Sequence, residues 1–269
     1  MTARTTIAEA GLEALLAGLR APAPPTLAPA TLVAVGLADE YTTMPSPVGP
    51  VFVAWNGRGV SSVAIAADPA SFEARFQVEV GRPIRRAAGV PAGLEQALAR
   101  RIAGDRRASI DLDLRNRTEF ERAVWSKAQE IPRGEVRPYG WIAAEIGRPK
   151  AVRAVGSALG HNPIPLVIPC HRVVRSDGLI GEYSLGGPLN KRTMLAAEGL
   201  DPDELERLAR AGVRFLASDT TRIYCLPSCH NARRITNTHR VAFRGGTDPE
   251  AAGYRACREC RPDAVQRAA

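Results

Sequence analysis

No stretch of this chain approaches the roughly 20 consecutive apolar residues that a membrane-crossing helix requires. That excludes a helical membrane protein. The first twenty residues, MTARTTIAEAGLEALLAGLR, lack the unbroken apolar core and the cleavage site of a secretory signal. They alternate apolar with polar residues at helical spacing and carry acids at Glu9 and Glu13. The expectation is therefore a cytoplasmic protein. Cysteine is scarce and odd in number, five in 269 residues, which argues against a disulfide framework in that compartment. Internal repeats are lacking, and low complexity is confined to one proline-rich stretch.

What is present is an ordinary globular composition, 45% hydrophobic and 24% charged. The length suits two domains, or three small ones. Lys and Arg total 36 against 28 Asp and Glu, a formal charge of +8, and the pI is near 9.7. This balance suits a polyanionic partner, although many basic proteins have none. The cysteines say more. One stands alone at position 170, and the other four, Cys225, Cys229, Cys257 and Cys260, crowd towards the C-terminal end. A metal site plus one reactive thiol fits that distribution.

Periodicity divides the chain further. A helix is expected at Ile7 to Leu19, followed by the linker APAPPTLAPA, whose Pro22, Pro24, Pro25 and Pro29 oppose regular structure. Strands are expected around Leu32–Thr42, Pro50–Asn56 and Val60–Ala66, with a turn at Asn56-Gly57. Helices are expected at Pro69–Gln77 and Ala92–Ala103, then a closing strand at IDLDL. From Thr118 the pattern turns helical, with Phe120, Val124, Ala128 and Ile131 on one face, Thr118 as cap and Pro132 as stop. PYGWIAAEIG and RPKAVRAVGSALG, the latter closed by Gly160, read as two short helices of a helix-turn-helix. A boundary falls at Gly199 to Asp203, followed by a helix near Pro202–Ala211 and a loop-rich cysteine-bearing module.

The chemistry starts at IPCHRVV, Ile168 to Val174. A cysteine is nucleophilic as thiolate, and a neighbouring imidazole lowers the cost of forming it. For a bare Cys170-His171 pair, a buried cysteine beside an incidental histidine would be the better reading. The surroundings reverse that judgement. The segment from TEFERAVW to MLAAEGL, with PCHRV, the PYG turn and the RAVG helix in register, resembles the catalytic domain of the O6-alkylguanine-DNA alkyltransferases. The upstream PSPVGPVFVAWNGRGVSSVAIA is similar to that family's β-rich N-terminal domain, so the resemblance covers roughly residues 30 to 200.

The resemblance implies that Cys170 attacks the alkyl carbon on O6 of guanine, that His171 takes the thiol proton through a water, and that Glu198 orients His171. It implies that Asn162 stabilises the turn before the active site and that Tyr139, Tyr183, Ser184 and the backbone of Val173 bind the extruded base, with Tyr139 also acting on the leaving guanine or its phosphate. Arg153, the one long cation among Ala151, Ala154, Gly156, Ser157 and Ala158, would fill the gap left by the flipped nucleotide from the minor groove. Small residues here could equally serve tight helix packing. One departure is Gly160, where many relatives carry a cation. Cys170 is not replaced by the tryptophan of alkyltransferase-like binding proteins.

In the tail, Cys225 and Cys229 form one close pair and Cys257 and Cys260 a CxxC, which together make a tetrahedral structural zinc site. With that set complete, His230 and His239 read as surface residues. TTRIYCLPSC, ARR and GYRACRECRP resemble the methylphosphotriester domain of the Ada type. The resemblance implies that Cys225 is itself a methyl acceptor and that Thr221, Arg255 and, allowing a one-residue insertion, Arg233 contact phosphate. Arg222 stands where that domain usually has glycine, and the domain order is inverted.

The expected architecture is a mixed α/β, ribonuclease H-like N-terminal subdomain, a helical winged helix-turn-helix-like alkyltransferase domain, and a small zinc-stabilised α+β module. The boundaries expected are 1–29 for the helix and linker, 30–112, 113–200 and 201–269. The expected partner is double-stranded DNA carrying alkylated guanine, approached from the minor groove by a monomer, with zinc in the tail. Rival readings are an alkylation-damage sensor or regulator, and a lesion binder whose zinc module is only structural.

Overall fold

The computed structural model describes residues 27–105 and 107–266. The helix expected at Ile7–Leu19 and most of the proline linker lie outside the described residues. The first described element is a helix, α1 (Leu27–Ala34), where the sequence suggested the end of a linker and the start of a strand. Pro29 sits in its first turn, where a missing N–H costs no hydrogen bond. The strand begins later, as β1 (Asp39–Met44).

β1 pairs antiparallel with β2 (Val51–Asn56), and β2 with β3 (Gly59–Ala64). A short strand that the pattern did not announce, β4 (Ile84–Arg86), adds parallel to β1. The sheet order is β3-β2-β1-β4. β2 is buried along its whole length because both faces are covered. One face meets α2 (Pro69–Val80), with Phe52 stacked on Phe72 at 4.8 Å. On the other, Val51, Val53 and Trp55 join the core of the rest of the molecule. Helix α3 (Ala92–Ile102) is close to its expected bounds. The closing strand expected at IDLDL is reduced to a single bridge, Val60 with Leu112. Asp113 explains this: it is buried and turned inward to accept from Asn56 and Arg115 and to pair with Arg82.

Helix α4 (Glu119–Gln129) opens on a capping box. Thr118 accepts from the Glu121 amide at 3.2 Å, and Glu121 accepts from the Thr118 amide at 2.9 Å. α5 (Tyr139–Glu145) and α6 (Val152–Gly160) follow as the two short helices the sequence indicates. Trp125 and Trp141 are among the largest buried side chains in this part, and truncating either to alanine would cost about 3–5 kcal/mol. The two-residue strands β5 (Arg137–Pro138) and β6 (Val173–Val174) pair in parallel. They tie the turn before α5 to the segment just after Cys170. Helix α7 (Gly187–Ala197) packs behind that segment.

After Leu200, Asp201 caps α8 (Pro202–Arg210) through the amides of Asp203 and Glu204. The last module has more regular structure than its turn-rich sequence suggests. β7 (Val213–Ser218), β8 (Ile223–Cys225), β9 (Arg240–Arg244) and β10 (Arg255–Ala256) form a second sheet in the order β10-β8-β7-β9, with α9 (His230–Arg233) beside it, while α10 (Asp263–Gln266) packs on α5. This sheet does not stand apart. Phe215, Tyr224 and Cys260 belong to the same continuous hydrophobic core as Trp55, Trp125 and Trp141. No helix among the described residues is long and apolar enough to cross a membrane.

Candidate functional site

Cys170 opens a 3-10 turn, Cys170–Arg172, at the end of a loop held by one side chain. Asn162 accepts from the Ile164 amide at 3.0 Å and donates to the Ile168 carbonyl at 3.0 Å. Its Nδ2 also lies 3.1 Å from the Cys170 sulfur. A buried carboxamide therefore fixes the loop and offers the sulfur a donor, which favours the thiolate. Between these contacts Leu166 adopts φ of 75°, a left-handed conformation uncommon for leucine. Ser184 Oγ is 3.9 Å from the sulfur. Burial raises the Cys170 pKa, and the contacts with Asn162 and Ser184 oppose that only in part. At rest this residue is a thiol and needs a base.

A histidine with an unpartnered ring nitrogen stands next to it. His171 is buried, and its Nε2 lies 2.9 Å from Glu198 Oε1. Burial alone would raise Glu198, but hydrogen bonds from His171 and Arg172 outweigh it and hold its pKa at about 2. An ionised carboxylate only accepts, so Nε2 carries the hydrogen and Nδ1 keeps a free lone pair. Burial pushes the His171 pKa down against the pull of Glu198. Nδ1 is buried without a hydrogen-bond partner in the protein.

Glu198 is gripped further by groups that the sequence did not single out. Arg172 donates to it from Nε at 3.0 Å and from Nη2 at 2.7 Å, and the Gly134 amide donates at 3.1 Å. Lys191, fully buried, donates to the carbonyls of Val173 at 2.6 Å and Glu182 at 3.1 Å, and burial lowers its pKa to about 8. Only the family motif could have pointed to Arg172, which lies inside PCHRV. Nothing in the local pattern marks Lys191 or Gly134.

A cavity of about 220 Å³ opens in front of the sulfur. Tyr139, Tyr183, Ser184 and Cys170 line it, as do Gly156 and Gly160 of α6. The Tyr183 hydroxyl is buried and unpartnered, and its ring meets His171 edge-on at 6.0 Å. A Cβ added at Gly156 or Gly160 would meet nothing within 4 Å, so the glycines keep a helix face open rather than serve close packing. Arg153, exposed, lies three and seven residues before these glycines and so shares their face. No side chain caps the N-terminus of α6. Val173 is not part of this cavity. It is fully buried, its backbone pairs in β6, and its carbonyl is taken by Lys191.

The second centre is built from β8, β10 and the turns after them. The sulfur atoms of Cys225, Cys229, Cys257 and Cys260 all lie within 4.8 Å of one another, and all four residues are buried. Bonds of about 2.3 Å to a tetrahedral zinc require sulfurs about 3.8 Å apart, and four soft donors at this spacing fit that ion. The Leu226 amide points at Cys260 Sγ at 3.4 Å, and Asn231 Nδ2 at Cys257 Sγ at 3.7 Å. His230 is bound instead to Glu135 and Glu259, and His239 to Asp219.

A cleft of about 510 Å³ exposes one side of this centre. Thr221, Arg255, Arg258, Cys225 and Cys257 line it, and so does Arg234. Arg233, the residue expected there, faces the other way, its guanidinium 3.8 Å from the point where a Cβ would stand on Gly134. Of the two adjacent arginines, Arg234 is the one that lines the cleft. Arg222 adopts φ of 52°, the conformation a glycine would take at this position. Its guanidinium stacks 5.0 Å from the Tyr254 ring, and the residue does not line the cleft.

Comparison with known proteins follows the same division. The family model of the 6-O-methylguanine DNA methyltransferase DNA binding domain matches residues 119–200, and that of the metal binding domain of Ada matches residues 206–263. A methylated-DNA–protein-cysteine methyltransferase of Mycolicibacterium paratuberculosis is 42% identical, over 59% of this chain and 92% of its own. One from Rattus norvegicus is 36% identical, over 60% and 82%. A solved Mycobacterium tuberculosis OGT variant is 36% identical with a TM-score of 0.50, over 60% of this chain and 92% of its own. These relatives cover about three fifths of this chain, and the Ada-type metal binding domain matches residues 206–263. The chain belongs to the methylated-DNA–protein-cysteine methyltransferase family and carries, after the alkyltransferase part, a metal binding domain of the Ada kind whose four cysteines form a structural zinc site.

Proposed function

We propose that this protein repairs double-stranded DNA by transferring an alkyl group from O6 of guanine to Cys170, once per molecule. The observation that carries the reading is the buried, unpartnered Nδ1 of His171, set in the correct tautomer by Glu198, beside a thiol that burial keeps protonated. His171 Nδ1 takes the thiol proton through a water. The sulfur attacks the alkyl carbon, the S–C bond forms as the C–O6 bond breaks, and the guanine leaves with a proton from Tyr139 that the thiol proton ultimately replaces. Tyr183 and Ser184 hold the flipped base, and Arg153 enters the gap from the minor groove.

In this reading residues 30–112 form a ribonuclease H-like subdomain, 113–200 a winged helix-turn-helix-like catalytic domain and 201–269 the zinc module. The protein acts as a cytoplasmic monomer. A second reading is favoured by the arginine-lined cleft beside Cys225: that cysteine also accepts methyl, from DNA methylphosphotriesters. Zinc supplies the charge that keeps the sulfur a thiolate at neutral pH, while Thr221, Arg234 and Arg255 hold the phosphate. The alternatives are a damage sensor and a lesion binder. Duplex DNA carrying O6-methylguanine is added and the protein is mapped by peptide mass spectrometry. One methyl on Cys170 is expected in the parent and none in Cys170→Ala, which should still bind DNA. Undiminished transfer by Cys170→Ala would overturn the assignment.

A further inference from the structure

The zinc module and the Cys170 site meet across a single turn, residues 131–137. Its first half faces α7. Ile131 gives its carbonyl to Arg172, and Arg133 donates to the Ala197 carbonyl. The Gly134 amide donates to Glu198 Oε2. Gly134 has φ of 73°, and a Cβ there would stand 2.9 Å from the Glu198 carbonyl oxygen. The turn is therefore pressed against Glu198 as closely as backbone allows.

Its second half faces the zinc centre. The buried Glu135 carboxylate accepts from the His230 amide at 3.1 Å and lies against the His230 ring at 3.0 Å. The Val136 amide donates to Ser228 Oγ at 2.9 Å, and Ser228 returns a hydrogen bond to the Val136 carbonyl at 3.0 Å. Both Ser228 and His230 flank Cys229 in the chain. Next along, Trp141 donates to the Cys260 carbonyl at 2.9 Å, and the Arg261 guanidinium lies 5.2 Å over its ring.

We infer that the zinc-bound module is a positioning element for alkyl transfer at Cys170: it anchors the 131–137 turn, whose Gly134 amide holds Glu198 against His171. The physical case is one of satisfied polar groups. Gly134 N, Val136 N and the Glu135 carboxylate are buried; the two amides have their partners on opposite sides of the turn, and Glu135 is shared between the His230 amide and Arg137 within the turn. Folding of the module around four cysteines puts Ser228 and the His230 amide where those partners are needed. Releasing them frees the turn to move, and Glu198 loses one of its fixed donors. The inference rests on the proposed chemistry at Cys170.

The test uses the full zinc-loaded chain and Ser228→Ala, with Ser228→Thr as the conservative variant and Trp141→Phe as a break in the neighbouring contact between the module and α5. Single-turnover methyl transfer is measured at saturating duplex, together with DNA affinity, zinc content and the ¹H–¹⁵N signal of His171 Nε2–H. Ser228→Ala and Trp141→Phe should transfer about tenfold more slowly, as expected when a catalytic group is displaced slightly. Zinc content and DNA affinity should be kept, the His171 signal should shift, and Ser228→Thr should restore the rate. A parent-like rate and an unmoved His171 signal in folded, zinc-loaded Ser228→Ala would overturn the inference. A parent that places no methyl on Cys170 would instead overturn the reading on which it rests.

Discussion

On the proposed function, the two cysteine centres of this molecule make their sulfurs reactive in opposite ways. Cys170 is a single thiol in an apolar loop, raised by burial and relieved only by neutral donors and by Lys191 at a distance. Its proposed base is assembled from residues 171 and 198, which the fold joins at 2.9 Å. Cys225 is one of four crowded sulfurs that could not all ionise side by side without a cation. Its charge state would be set by the metal, and His239, which lines the same cleft, is paired with Asp219. One centre is controlled by hydrogen-bond geometry and the other by ligand charge, so substitution at Cys170 should leave zinc in place, whereas loss of zinc should reach Cys170 only through the 131–137 turn.

The sharpest separation is the cysteine exchange itself. Cys170→Ala should lose all transfer from O6-methylguanine while keeping whatever methylation Cys225 undergoes. Cys260→Ala should remove zinc, measured by metal analysis, and with it the stability of the last module. Loss of O6 repair in Cys170→Ala together with loss of zinc would mean that the two centres are not separable.

The next effect is on the base. Glu198→Gln should slow Cys170 methylation by about 10²-fold or more, the usual range for general acid–base catalysis, without touching zinc. In the parent, a His171 pKa lowered by burial leaves the base free well into acid. The transfer rate should therefore stay flat through neutral pH and fall only below the ordinary histidine range, about 6.5. An acid limb at or above that value would contradict a buried neutral imidazole.

Smaller still is the effect at the helix face. Arg153→Ala should slow repair of duplex DNA by about tenfold, since base extrusion costs a few kcal/mol, and should scarcely affect a flexible single strand. Equal loss on both substrates would assign Arg153 a structural role.

Much of this was legible in the sequence where local chemistry dictates structure. Thr118 with Glu121 announces a capped helix, and PCHRV announces a nucleophile beside its base. Paired cysteines announce a metal; the capped helix forms as expected, Cys170 and His171 adjoin Glu198, and the four sulfurs converge. What stayed hidden depends on residues distant in sequence. The Gly134 amide finds Glu198 and Ser228 finds Val136 across 64 and 92 positions, and no periodicity encodes such meetings. β4 is three residues long, below what alternation can signal. The bridge at Leu112 is not a strand because Asp113 has buried partners that a sequence pattern does not reveal.

The finest test concerns two adjacent arginines. By resemblance alone Arg233 contacts phosphate, but α9 ends at that residue and turns it towards Gly134, leaving Arg234 in the cleft with Cys225. Successive residues at a helix end point about 100° apart, so one register step decides which guanidinium meets a phosphate. Arg234→Ala should reduce methylation of Cys225 by methylphosphotriester DNA about tenfold, the loss of one charge-assisted phosphate contact. Arg233→Ala should leave it within twofold. Neither change should affect transfer to Cys170 by the mechanism proposed for it, although Arg233 lies near the turn that holds Glu198. Both rates can be read from one peptide map of a mixed-lesion duplex. A larger loss at Cys225 from Arg233→Ala than from Arg234→Ala would return the phosphate contact to Arg233.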